Sequence, residues 1–502
     1  MKRSGDHVPA LVIGGGVVGC AVLRELARRG IHGVLVDAEP DVGEGTSKAN
    51  SAIVHTGFDA KPGTAEATLL RRAAELWPTI AEDLGVPFLT VGALMLARSS
   101  EEAEKLRHEV AASAERFGVA TEWLDRADLR AAAPYVTDAA IAALGIPGES
   151  IVDPFWLTRS YAESAVSLGA EIILNHAVTA LVVAEDAVRV TLDDGTGLRA
   201  DQVFNCAGLR GDDIARLAGD DTFTIRPRKG QFLVSEETFG VDRIVLPLPG
   251  PLGKGVLVTP IVFGGVLLGP TAEDQQDKSD RSVDRHGREA ILAGCRQLVP
   301  AVERMVPVRQ FAGLRAVSST GDYILRPATR GDQLFHVAGI RSTGISASPA
   351  IAEHAVAWAA ARRGWPSAPR HSRAPLPTVS LSEPAGEVLC VCRSISRGEV
   401  AAACRTSWSP STLDALKRRC GVAFGDCQGN LCNVPVARLA AQLRDEPPER
   451  TLKHRSGAWV FAPGDPRFLD GGLATASRPR PREGSEEPTL QGIVDLVVIG
   501  AG

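Results

Sequence analysis

Ala10-Leu11-Val12-Ile13-Gly14-Gly15-Gly16-Val17-Val18-Gly19 is the stretch that decides the fold. Its first four residues read as a short buried strand. The glycines then open a helix that runs through Arg29 and closes at Gly30, the residue type best suited to a helix C-terminus. A second apolar run, Val34-Leu35-Val36, ends in Asp37, about 20 residues on from the glycines. Strand, glycine turn, helix, strand and acid make a βαβ dinucleotide-binding unit. In such a unit Gly14 permits the tight turn, Gly16 lets a pyrophosphate approach the backbone, and Gly19 allows close packing of helix on sheet. The helix N-terminus favours the phosphate charge, and Asp37 is placed to accept from a ribose hydroxyl. The position of the unit near residue 1 favours a flavin dinucleotide over a nicotinamide one.

Two later strand-to-glycine turns, Asn205-Cys206-Ala207-Gly208 and Val337-Ala338-Gly339-Ile340-Arg341-Ser342-Thr343-Gly344, suit a dinucleotide domain assembled from distant segments. The expected architecture over residues 1–370 is an α/β Rossmann-like domain carrying an α+β substrate domain. The dinucleotide segments fall at about 8–90, 145–220 and 325–365, and the substrate domain at about 90–145 and 220–325. Short strands on either side of Asp194-Gly195 predict a small β-meander. Helices are expected from Leu157 to Leu168 and from about Ser348 to Arg363. Prolines 366, 369, 375, 377 and 384 mark a linker. A small helical module bearing paired cysteines follows at 387–440. Residues 441–493, rich in Arg, Pro, Gly and Glu, read as a second linker, partly disordered. Residues 494–502 repeat the strand-plus-glycine pattern and read as the truncated start of a second dinucleotide-binding domain.

Composition narrows the function classes. The 502 residues are 44% hydrophobic and 23% charged, which is ordinary globular material with ample core. A formal net charge of −5 gives no basic footprint for nucleic acid. Nine cysteines are too few for a disulfide scaffold. No uninterrupted apolar run reaches about 18 residues, so no transmembrane segment is expected. The expected location is the cytoplasm.

Three groups of residues carry possible chemistry. The loop Thr46-Ser47-Lys48-Ala49-Asn50-Ser51 can donate to ribitol and phosphate oxygens, and His55 beyond it is either a base facing substrate or a hydrogen-bonded structural histidine. Arg315 and Arg341 are either clamps for a carboxylate or phosphate, or surface arginines. Cys390-Val391-Cys392 and Cys427-Gln428-Gly429-Asn430-Leu431-Cys432 form a C-x-C and a C-x4-C pair. Four thiolates hold either a [2Fe–2S] cluster, a tetrahedral zinc, or no metal, and this spacing fits zinc less well. Cys404 and Cys420 fall off the ligand pattern.

These stretches, with Val152-Asp153-Pro154, Arg228-Lys229-Gly230-Gln231 and Gly313-Leu314-Arg315, resemble flavin-dependent oxidoreductases of the glycine-oxidase and D-amino-acid-oxidase clan. Within it the likeness is to the large subunit of anaerobic glycerol-3-phosphate dehydrogenase and to L-2-hydroxyglutarate oxidases. Residues 387–440 resemble the bacterioferritin-associated ferredoxin-like [2Fe–2S] module, which follows the flavin domain in that dehydrogenase. The resemblance implies FAD held by Gly14, Gly16, Gly19, Asp37, Ser47, Asn50, Ser51, Val178, Ala207, Gly208, Gly339, Ser342, Thr343, Gly344 and Ile345. It implies a substrate face at His55, Arg315 and Arg341, and a cluster on Cys390, Cys392, Cys427 and Cys432. The expected activity is oxidation of a small anionic hydroxy compound, of the glycerol 3-phosphate or 2-hydroxy acid type, with electrons passed to the cluster. An electron-acceptor subunit or a second flavin domain would take them further. Amine, opine or amino-acid oxidation on the same flavin is an alternative, as is a non-catalytic iron–sulfur flavoprotein.

Overall fold

Strand β1 (Asp6–Ile13) lies parallel to β2 (Gly33–Val36), with Val12 opposite Leu35 and Ile13 opposite Val36, and helix α1 (Val17–Arg28) joins them. The computed structural model describes residues 6–249, 255–371, 386–455 and 457–461. On its other side β1 pairs in parallel with Gly197–Asn205, Ile13 meeting Asn205. The end of that strand pairs in parallel with Gly331–Ala338, and Glu171–Ile173 pairs in parallel with β2. All five strands therefore finish on one edge, where Gly14, Asp37, Cys206 and Gly339 directly follow four of them. A cleft outside the carboxyl ends of parallel strands is where such sheets bind ligands. The meander around Asp194-Gly195 is present as antiparallel Val178–Val183, Val188–Leu192 and the start of Gly197–Asn205.

Helix α1 buries Cys20, Val22, Leu23 and Leu26 beneath the helices Pro154–Ser167 and Gly344–Arg363. The latter begins four residues earlier than the sequence predicts, with Pro349 inside it. Proline lacks the N–H that would bond Ile345 O, and Ser348 Oγ donates there instead, at 3.0 Å.

A second sheet of nine strands, mostly antiparallel, is centred on Ile225–Ser235 paired along its length with Arg309–Ser318, which carries Arg315. It draws its strands from both stretches assigned to the substrate domain by sequence. A small three-stranded sheet, Ile53–Val54, Ser150–Val152 and Phe88–Thr90, lies apart from both.

The cysteine-bearing module has a hairpin, Val388–Cys390 with Ile395–Ser396, and helices Arg397–Cys404, Leu413–Cys420 and Asn433–Leu443. Ser396 and Glu399 form a capping box at the first helix. Leu389, Val400, Leu416, Val436 and Leu439 make its core. The module runs beyond the boundary at 440: Phe461 is buried in the same core, and Leu452 bridges to Thr412 and Trp459. The part of 441–493 past 461, and residues 494–502, lie outside the described residues. No helix among the described residues is long and apolar enough to cross a membrane.

Candidate functional site

A cleft of about 1800 Å³ opens at the carboxyl edge of the parallel strands and extends to the second sheet. That exceeds the roughly 300–1,000 Å³ usual for a small-ligand site and accommodates a dinucleotide together with a substrate. Every residue predicted for FAD or substrate lines it except Gly19 and Gly339. Those two lie behind the wall and act through packing. A Cβ on Gly19 would sit 1.9 Å from Gly14 O, so α1 can cross β1 this closely only without a side chain there. Gly14 itself has φ +107° and backs onto Cys206 O. Gly19→Ala is expected to yield protein without bound flavin, read from its visible absorbance, because the clash is with backbone that cannot move aside.

Ser47 Oγ accepts from Val17 N at 2.9 Å, bracing the first turn of α1. Asn50 ties its own loop, donating to Ser47 O and accepting from Ala52 N. Thr46 Oγ1 donates to Leu314 O at 2.6 Å, joining this loop to the strand of Arg315.

Asp37 accepts from Gly15 N and, at 2.8 Å, from Glu39 N. Burial pushes its carboxyl up to about 6, against the pull of those two donors. In the apoprotein the stability tied to the protonated form is complete below about pH 4 and is lost as pH rises through about 6. Asp37→Asn is therefore expected to remove the fall in apoprotein stability between about pH 4 and about pH 7, while lowering stability at about pH 4, because its amide nitrogen cannot accept from Gly15 N or Glu39 N, whichever it faces. Melting curves at the two pH values check this.

Toward the second sheet, the cleft wall carries His55. Val54 pairs antiparallel with Ser150, and this register sets His55 opposite Glu149. His55 Nδ1 lies 2.7 Å from Glu149 Oε2, while Glu149 Oε1 accepts from Thr56 N at 2.7 Å and Thr56 Oγ1 at 2.8 Å. His55 N donates to Ser346 Oγ at 2.9 Å, anchoring it to the helix after the last glycine turn. Glu149, Thr56 and Ser346 have no signal in the sequence, because strand register and a contact across nearly 300 residues put them there.

Arg315 Nη2 donates to Thr271 O at 2.6 Å, with longer bonds to Lys229 O and Arg228 O. Burial, reinforced by neighbouring Arg228, pushes its guanidinium down to about 10. With only carbonyls as hydrogen-bond partners among the described residues, it presents a partly desolvated cation to the cleft. Arg341 reaches the cleft too but differs from the expectation of an open clamp: it already donates to Glu66 Oε2 at 2.7 Å, and Glu66 also accepts from Thr343 Oγ1. An anion at Arg341 would have to compete with that carboxylate.

The module packs on the outer side of the same cofactor loop. Arg419 forms a two-pronged buried pair with Asp41, Trp408 Nε1 donates to Asp41 at 2.8 Å, and Arg418 pairs with Glu44, which also holds Lys48. Burial pushes the Asp41 carboxyl up, but Arg419 outweighs it and the net shift is downward. Phe155 meets Phe424 with ring centroids 5.5 Å apart. Removing one partner of a buried pair strands the other, at about 3–5 kcal/mol. Asp41→Asn is expected to lower hydrogen-exchange protection across Leu413–Cys420, while protection in β1 and β2 is retained.

Within the module the four predicted ligands lie near one another: Cys427 has Cys392 beside it, and Cys432 has Cys390 beside it and Cys427 near it. Backbone N–H groups, led by Leu431, hold the Cys427 thiol below its ordinary value, whereas burial and then Cys390 push Cys432 up to about 12. The four sulfurs do not form one tight cage: among the described residues the only three or more ligating atoms mutually within 4.8 Å belong to His176, Asp193 and Asp194. Cys404 and Cys420 sit on helices, both raised by burial, and Cys420 Sγ donates to Leu416 O within its own helix.

Comparison with known proteins agrees with this geometry. Residues 10–358 match the family DAO, FAD dependent oxidoreductase. A glycerol 3-phosphate dehydrogenase from Caloramator mitchellensis is 32% identical over 467 residues, covering 90% of this chain and 97% of that protein. One subunit of the anaerobic glycerol-3-phosphate dehydrogenase of Escherichia coli (strain K12) is 25% identical, covering 87% of this chain and 88% of its own. Among solved structures, dithionite-reduced L-alpha-glycerophosphate oxidase from Mycoplasma pneumoniae with FAD bound superposes with a TM-score of 0.67 at 28% identity, over 70% of this chain and 94% of that one.

Proposed function

Because the chain belongs to the DAO family of FAD dependent oxidoreductases, we propose that it dehydrogenates a small hydroxy compound bearing an anionic group, glycerol 3-phosphate or a 2-hydroxy acid in type, and passes the electrons to a [2Fe–2S] cluster in its C-terminal module. The observation that carries this reading is one continuous cleft. It has a dinucleotide cradle at one end and a carboxylate-paired histidine with a desolvated arginine at the other.

Bound FAD supplies the hydride acceptor. The chain's own work is to bind, orient and deprotonate. Gly14, Gly16 and Asp37 line the cleft; the glycines would leave room for the pyrophosphate, and Asp37 would accept from the ribose. Arg315 holds the substrate anion, whose charge replaces the water its guanidinium has lost. His55 takes the hydroxyl proton, a step for which a positioned base contributes about 10²–10⁴-fold.

The cluster reading is supported by the nearness of the four thiols and by the backbone donors around Cys427. An acceptor beyond the cluster, either a separate subunit or a second flavin domain, completes the route in this reading. The Escherichia coli relative, itself one subunit of a dehydrogenase, supports the first of these. The cytoplasm is the proposed location.

Steady-state turnover with a one-electron dye tests the substrate class. Glycerol 3-phosphate or L-2-hydroxyglutarate is expected to support kcat/KM at least about 10²-fold above glycerol, which lacks the anion for Arg315 (about 3 kcal/mol, as for a charged hydrogen bond). Turnover of glycine or proline in preference to both hydroxy compounds would contradict the proposal.

A further inference from the structure

We propose that Glu149 is a positioning residue that fixes the ring tautomer of His55 and holds its imidazolium during proton removal. This rests on the reading of His55 as the base.

The geometry is specific. A carboxylate only accepts, so the 2.7 Å contact between Glu149 Oε2 and His55 Nδ1 places the ring proton on Nδ1. The basic nitrogen of the neutral ring is then Nε2. Glu149 is fully buried, and its second oxygen is occupied by two donors from Thr56. Those donors fix the carboxylate's orientation. The carboxylate cannot swing to another partner without leaving Thr56 N and Oγ1 unpaired in the interior. The pairing of Val54 with Ser150 sets the two side chains on neighbouring strands, so the contact is built into the sheet. When His55 takes a proton the ring becomes a cation in a desolvated wall, and Glu149 is the counter-charge already in contact with it. Charge then balances: the hydroxyl proton moves to Nε2, the Nδ1 proton stays in place, and the Glu149 charge is unchanged.

Glu149→Gln keeps the shape and removes the charge. Its flavin reduction by glycerol 3-phosphate, followed anaerobically, is expected to show a limiting rate about 10²-fold lower or more. The apparent substrate dissociation constant should move less than about 3-fold, because the anion is held elsewhere. Glu149→Asp keeps the charge with a shorter reach and is expected to fall between wild type and Gln. It also stands in should the Gln variant fail to retain flavin. In a His55→Ala background, Glu149→Gln is expected to add less than about 2-fold, since it acts through the ring. Independently of turnover, ring ¹⁵N shifts of histidine-labelled protein, assigned by subtraction of the His55→Ala spectrum, are expected to show Nδ1 protonated and Nε2 bare.

An equal loss from Glu149→Gln with and without His55 would overturn the proposal, as would an Nε2–H tautomer in the wild-type ring. If instead His55→Ala leaves the rate unchanged while Glu149→Gln lowers it, the reading of His55 as base fails, and so does a role for Glu149 exerted through it. If His55→Ala is slow and Glu149→Gln is not, only the assignment of Glu149 falls.

Discussion

His55→Ala is expected to slow anaerobic flavin reduction by substrate about 10²-fold or more while leaving the protein yellow. The expectation comes from where the residue sits. His55 lines the cleft between the dinucleotide cradle and the second sheet, and its backbone N–H is fixed by Ser346 Oγ. Gly14, Gly16 and Asp37, which frame the cradle, are held by β1, α1 and β2, none of which depends on the imidazole. Under the proposed function, losing the ring therefore removes the base without dismantling the cofactor site. Stopped-flow absorbance separates the two effects: flavin content reports the cradle and the limiting rate reports the base. A limiting rate within about 3-fold of wild type would make His55 a structural residue. Arg315→Lys is expected to act on the other parameter, raising the apparent dissociation constant, because an ammonium cannot reproduce a planar fork.

Serine at any one of Cys390, Cys392, Cys427 or Cys432 is expected to remove or alter the iron signal, whereas Cys404→Ser and Cys420→Ser leave it intact. The four lie near one another, Cys427 beside Cys392 and Cys432 beside Cys390, while the other two sit within helices of the module. Loss of the cluster should leave substrate-driven bleaching of the flavin in place, because His55 and Arg315 belong to other elements. Turnover with a one-electron acceptor should fall sharply. Metal analysis after anaerobic purification that finds one zinc and no iron would replace the electron relay by a structural clip.

Much of this was legible in the sequence where the information is local. The Gly14–Gly19 turn and the run ending in Asp37 each declare themselves within a few residues, and the structure builds them as strand, turn, helix and strand. What could not be read depends on pairing across the chain. The partner of His55 is set by one antiparallel register between Ile53–Val54 and Ser150–Val152, two strands too short to predict as a pair. The engagement of Arg341 by Glu66 joins a glycine turn to the first turn of a helix 275 residues away. The module's reach past residue 440 was hidden because a polar, proline-rich stretch masks the few residues, Leu452 and Phe461 among them, that anchor it. The docking of Arg418 and Arg419 on Asp41 and Glu44 was likewise invisible, since charged residues on an arginine-rich chain read as solvated surface until their partners are known.

Oxidation of an anionic hydroxy compound in the cleft is read out by anaerobic titration of the purified holoprotein with glycerol 3-phosphate and L-2-hydroxyglutarate, and in parallel with glycine and proline, following the flavin absorbance. One of the hydroxy compounds is expected to bleach the flavin, with the matching ketone formed in step, and the amines are not. Bleaching by an amine alone, or by none of the four in protein that carries its full complement of FAD, would contradict the proposed function.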